Sequence, residues 1–176
     1  MNDATLPMRR SCRGLVVDEK GRILLAQHRV GEGHVWVGPG GGVEAEETLV
    51  QALARELHEE TGLLLVDSTA PVLVWTQLQP FPDMAPHGYA GVHSHTFVVP
   101  LVAFAANGHL HATATSHRYE DGVMDMRWWS LEEIEAAHRA SVLFSPRALP
   151  QLARDILDPA SLAHRPVTPY HWVGEK

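Results

Sequence analysis

The 176-residue sequence contains a single cysteine, Cys12. One cysteine forms neither an intramolecular disulfide framework nor a cysteine-rich zinc site, so a reducing, cytoplasmic setting is the expectation. Positive charge is scarce too: 14 Lys and Arg stand against 21 Asp and Glu, a formal net charge of -7 with histidine neutral. Duplex nucleic acid and anionic membranes are held by basic faces, and the longest basic run here is Arg9-Arg10, so neither is an expected partner. Long apolar runs are also missing. The longest, 96–106, is broken by Pro100 and falls far short of the roughly 20 residues that span a bilayer. Near the start, Leu15-Val16-Val17 runs straight into Asp18-Glu19-Lys20, which leaves no apolar core for a secretory signal. There is no internal repeat, low-complexity tract or linker.

What remains is ordinary globular composition, 45% hydrophobic and 20% charged. A chain of this length buries roughly two-thirds of its unfolded surface around one core, so residues 1–176 are read as a single domain. Its lead, 1–10, and its tail, 158–176 with Pro159, Pro166 and Pro169, are expected to be irregular.

Gly14 to Val17 and Arg22 to Gln27 are β-prone runs separated by a turn at 18–21, and Val35-Trp36-Val37 adds a short strand. The stretch Gly38-Pro39-Gly40-Gly41-Gly42 holds neither a helix nor a regular strand. A helix follows from about Thr48 to Thr61 and stops at Gly62. Leu63 to Val66 and Val72 to Thr76 read as strands, Gln79 to Gly91 as a long surface loop, and Thr96 to Phe104 as a central strand followed by a turn at Asn107-Gly108. Arg127-Trp128-Trp129 is a short strand. Ser130 and Glu133 cap a helix through about Ala140, and a last helix begins at Ser145-Pro146 or Leu149-Pro150 and ends near Leu157. Strands on both sides of one strong helix predict a single α/β domain with a mixed sheet.

On the helix at 48–61, Leu49, Ala52, Leu53 and Leu57 mark an apolar arc. Glu56 and Glu60 fall inside that arc and Glu59 falls at its edge, so the face that should be buried turns from leucine to carboxylate in the last turns. These carboxylates repel one another at i, i+3 and i+4 and sit at the negative end of the helix dipole. Two arrangements offset that cost: a solvated acidic helix end answered by Arg55, or a hard divalent cation, Mg2+ or Mn2+, held by oxygen ligands. The glycine stretch before the helix brings bare backbone to a ligand and the helix start favours a phosphate, which shifts the balance to the second.

Gly41, five residues, Glu47, seven residues, then Arg55-Glu56-Leu57-His58-Glu59-Glu60-Thr61-Gly62-Leu63 resembles the signature of the Nudix hydrolases. The hairpin before it, Pro39 ahead of the glycines, and Arg127-Trp128-Trp129 followed by a capped helix are similar to the family layout. The resemblance implies an α/β/α sandwich and hydrolysis of a nucleoside diphosphate linked to another group X, by water attack on phosphorus. It implies that Glu56, Glu59 and Glu60, with the carbonyl of Gly40, hold Mg2+ or Mn2+, and that Arg55 and Glu47 form a supporting ion pair. The general base is a box glutamate or a downstream carboxylate, Glu120 or Asp121. Arg29, Gly41 and Phe81 are candidates for substrate contact, and Gln79-Pro80-Phe81-Pro82 faintly resembles a segment that marks NADH pyrophosphatases.

Other features carry blander readings beside sharper ones. His93 and His95, two apart on a strand, would point to one face as a zinc pair does, yet no third ligand is evident. Trp36, Trp75 and Phe81 are core aromatics or base-stacking platforms. The rivals to hydrolysis are a non-catalytic nucleotide-sensing or protein-binding module on the same fold, and a diphosphate isomerase, whose thiol would have to be Cys12. The expected partner is a small nucleotide diphosphate; a homodimer stays open.

Overall fold

Local chemistry sets both ends of helix α1 (Leu49–Thr61). Thr48 Oγ1 accepts the Gln51 N–H at 3.2 Å while Gln51 Oε1 accepts the Thr48 N–H at 2.9 Å, which satisfies two of the amides that a helix start leaves open. Gly62, in the left-handed region at φ 77°, turns the chain out and donates its N–H to the His58 carbonyl. The computed structural model describes residues 6–106, 122–158 and 170–173, the last four by their backbone.

Among the described residues eight strands form one mixed sheet: β1 (Met8–Val17), β2 (Ile23–Val30), β3 (Gly33–Val37), β4 (Val72–Pro80), β5 (Gly91–Pro100), β6 (Val123–Trp129), β7 (Phe144–Ser145) and β8 (Tyr170–Val173). Their order is β7-β3-β2-β1-β5-β4-β8, with β6 paired to β2. β1 runs parallel to β5 over its whole length, from Met8 opposite Gly91 to Val17 opposite Pro100. β1 and β2 pair only at Val17 and Ile23. The edge that β1 then exposes is taken by the glycine stretch: Cys12 N–H donates to Gly41 O, Gly14 N–H to Pro39 O, and Val43 N–H to Arg10 O.

Alternation along the strands feeds two cores, because successive side chains point to opposite faces. Cys12, Val16, Leu24, Phe97 and Val99 pack with Ala52, Leu53 and Leu57 of α1. Leu15, Ile23, Leu25 and Val98 pack on the other face with α2 (Leu131–Arg139) and α3 (Leu149–Leu157), through Ile134, Leu152 and Ile156. The result is an α/β/α sandwich. Among the described residues no helix is long and apolar enough to cross a membrane.

The elements depart from the sequence expectations where strands are polar. β5 begins at Gly91, five residues before Thr96, and ends at Pro100, which has no N–H to continue the ladder; 101–103 form a 3-10 turn. β4 runs on to Pro80, so the loop expected over 79–91 shrinks and carries a 3-10 helix, Pro82–His87. Leu63 to Val66 is not a strand; it makes one isolated bridge, Leu65 with Phe104. The lead and tail are not wholly irregular. β1 starts at Met8, held by β5 and the glycine stretch, and β8 pairs Tyr170–Val173 with β4 inside the expected irregular tail. Of the two starts for the last helix, Leu149 is the one observed. Asn107-Gly108 lies outside the described residues.

Candidate functional site

The glycine stretch, the N-terminal half of β1 and the last two turns of α1 converge on one place. Gly40 sits at φ 140°, where a side chain is strained, and a Cβ there would run into the Cys12 carbonyl. At Gly41 a Cβ would lie 2.5 Å from the Glu56 carboxylate, so glycine is what lets that carboxylate in. Glu60, 5% exposed, accepts the Gly40 N–H on Oε2 at 2.9 Å. Glu56 is half-buried and Glu59 is exposed, as the helical arc requires.

Arg55 holds the acidic side together. Its Nε and Nη2 donate to Glu47 at 2.8 and 2.9 Å, a two-pronged pair, while Nη1 reaches Glu56 at 2.9 Å and Glu59 at 3.3 Å, and Nη2 also donates to Gly42 O at 3.0 Å. The Arg55 guanidinium and the Glu44 N–H hold the Glu47 carboxyl down at about 2. Glu56 goes the other way: burial raises it above the ordinary carboxylate range, and Arg55 only partly opposes this. A desolvated carboxylate with incomplete compensation is where an added cation gains most.

The guanidinium beside the glycine stretch is not that of the sequence candidate Arg29 but that of Arg13. Arg13 Nη1 donates to the Gly40 carbonyl, and its charge acts on Glu56. Arg9 lies against Gly42, whose missing side chain leaves it room. A β1 that starts at Gly14 leaves both out; the strand extended back to Met8 puts Arg9, Ser11, Arg13 and Leu15 on one face, and the glycine stretch beside it.

The remaining candidates separate. Glu120 and Asp121 lie outside the described residues. Arg29 is exposed on β2 opposite His34 of β3, and no described contact links it to the box. Phe81 is 38% exposed at the start of the 3-10 helix, on the rim of the loop. Trp36 is core, edge-on to Trp129 at 4.9 Å, whereas Trp75 on β4 is half-buried against the same core. The His93 and His95 rings lie 4.2 Å apart between centres, tilted by 40°, but His95 Nδ1 is engaged with the Ser11 carbonyl at 3.2 Å. Among the described residues no three His, Cys, Asp or Glu side chains converge as metal ligands. Cys12 reaches the site, its Sγ 3.9 Å from Gly41 O, yet it is fully buried under α1, and burial pushes its thiol up to about 11. That thiol is neutral and sealed from solvent, a poor acid for an isomerase.

The oxygen-only donor set of Glu56, Glu59, Glu60 and the Gly40 carbonyl suits a hard divalent cation by its chemistry. Arg55 and Arg13 supply the positive charge that these groups are drawn to here.

The chain is 46% identical over 48 residues to "Phosphatase NudJ" of Escherichia coli K12, a stretch that makes up 27% of this chain and 31% of that relative's length. Its fold matches the solution structure of the Escherichia coli ORF135 protein at a TM-score of 0.61 and 26% identity, over 90% of this chain and 96% of that one. It also matches a bifunctional NMN adenylyltransferase/ADP ribose pyrophosphatase from Francisella tularensis at a TM-score of 0.50 and 25% identity, over 74% of this chain and 36% of that one. The family model described as the NUDIX domain matches residues 7–152, which takes in the glycine stretch, α1 and every strand but β8, and the chain belongs to the Nudix hydrolase family.

Proposed function

We propose that the protein is a divalent-cation-dependent pyrophosphohydrolase that cleaves the diphosphate linkage of a nucleoside diphosphate joined to a group X. The observation that carries the reading is the closing of two carboxylates on the glycine stretch: Glu60 holds the Gly40 N–H, and Glu56 fills the space a side chain at Gly41 would take. Glu56, Glu59, Glu60 and the Gly40 carbonyl are the residues to hold Mg2+ or Mn2+. A bound cation there supplies neutralisation of the diphosphate and a water acidic enough to attack phosphorus. Arg55, anchored on Glu47, keeps Glu56 and Glu59 in place. Phe81 and Arg29 are proposed to contact the substrate from the loop after β4 and from β2, and the base is a box glutamate or Glu120.

The group X stays a class: a nucleotide sugar, an ADP-ribose-like compound, a dinucleotide or a nucleoside triphosphate. The Francisella relative's ADP-ribose pyrophosphatase activity supports placing ADP-ribose in the panel. A small soluble substrate and a single buried thiol suit a reducing cytoplasm.

The test is product release from such a panel with Mg2+ or Mn2+, comparing the wild type with Glu60→Gln, which keeps an acceptor for the Gly40 N–H and removes the charge. Turnover is expected to fall by about 100-fold or more in the variant. Divalent binding without turnover of any compound would instead favour the sensing-module alternative.

A further inference from the structure

Arg13 ties β1 to the glycine stretch through its side chain as well as its backbone. Its backbone is fixed on both sides, by the parallel register with Thr96 of β5 and by the neighbouring Cys12 and Gly14 amides, which donate to Gly41 and Pro39 of the glycine stretch. Only the side chain is free to choose a partner, and it donates to the Gly40 carbonyl. That carbonyl cannot turn away. Gly40 is held at φ 140° against Cys12, and its own N–H is taken by Glu60. The Arg13 charge also acts on the Glu56 carboxylate.

A guanidinium and a divalent ion make the same demand on these acceptors, and two like charges cannot both sit against one carbonyl in a half-buried site without strong repulsion. We propose that Arg13 is a built-in competitor of the divalent cation for the Gly40 carbonyl and Glu56, which on displacement turns to the phosphate of the substrate. This rests on the metal-site reading above.

The sheet gives the displaced side chain somewhere to go. Arg13 shares the face of Leu15 and Val98, and in register on that face lie Ser11, Ser94 and Gln77 in one cross-strand row and Thr96 and Trp75 in Arg13's own row. Ser11, Thr96 and Gln77 are buried polar side chains. A guanidinium swung toward the Ser11, Ser94 and Gln77 row meets hydroxyl and amide groups, and its planar fork suits a phosphate oxygen pair.

The experiment is binding of Mn2+ alone, followed by the loss of the free-ion paramagnetic resonance signal, in the wild type, Arg13→Ala, Arg13→Met and Glu56→Gln. Arg13→Met keeps the aliphatic stem, so a folded uncharged variant is available if the alanine variant misfolds. Removing the competitor is expected to tighten Mn2+ binding by about 5- to 100-fold, the usual size of a coupling between two ligands. The same variants should raise KM for the diphosphate substrate more than they lower kcat, because the phosphate contact is lost. Mn2+ binding weakened by Glu56→Gln but unchanged or weakened by both Arg13 variants would overturn the competition while leaving the metal site standing. Mn2+ binding indifferent to Glu56→Gln would overturn the metal-site reading and the competition with it.

Discussion

A methyl group at position 41 probes the site at the scale of single atoms. The Cβ of Gly41→Ala would lie 2.5 Å from the Glu56 carboxylate, so the carboxylate or the glycine stretch has to shift. A displacement of about 1 Å in a catalytic constellation costs roughly 100-fold in rate. Turnover in Gly41→Ala is therefore expected to drop by that order, with Mn2+ affinity falling alongside and the far-ultraviolet circular dichroism of α1 retained. Undiminished Mn2+ affinity in a folded variant would show that Glu56 is not a ligand. The carboxylate cluster of the box was legible because α1 repeats every 3.6 residues, so Glu56 and Glu60 inside an apolar arc, with Glu59 at its edge, stand out without any structure. Arg13 was not legible in that way. Its partner, Gly40, is 27 residues away, and nothing within the local sequence says that the glycine stretch will lie along β1.

At the scale of elements the same division holds. The caps of α1 and α2 are written in adjacent residues: Thr48 with Gln51, and Ser130 with Glu133, which exchange side-chain and backbone hydrogen bonds. Loss of the Thr48 hydroxyl in Thr48→Ala is expected to cost about 1 kcal/mol, read as a lower urea midpoint at unchanged slope. Because the cap lies at the opposite end of α1 from Glu56 and Glu60, Mn2+ affinity should stay at the wild-type value. A matching loss of Mn2+ binding would mean that the helix moves as a rigid lever on the site. Strand limits were harder to read for a physical reason. The first half of β5, Gly91 to His95, carries glycine, serine and two histidines, and it is a strand only because β1 and β4 flank it on both sides. Apolar periodicity finds strands that bury hydrophobic faces, and it misses a strand whose polar end borders a site.

The whole molecule inherits a pH response from that polar strand. His95 is buried on β5 with Nδ1 engaged by the Ser11 carbonyl, with the His93 ring against it and Arg10 close enough to repel its charged form. Burial lowers its folded value below 6.5, Arg10 lowers it further, and the hydrogen bonds from the backbone oppose them only in part. The unfolded chain therefore takes up a proton first as pH falls. Between the unfolded value near 6.5 and the lower folded one, the unfolded state binds more protons than the native state, so stability declines with falling pH; above that window the residue contributes no pH dependence. Urea midpoints measured from pH 8 down to 5 should decline less steeply in His95→Gln, whose amide can still donate to Ser11 but takes no proton. Because β1 and β5 carry both the glycine stretch and the two cores, the loss should appear as one cooperative transition seen alike by tryptophan fluorescence and by circular dichroism. Equal slopes for the two proteins would place the acid sensitivity in other histidines, and a fluorescence change that precedes the loss of helix would show that β5 opens on its own.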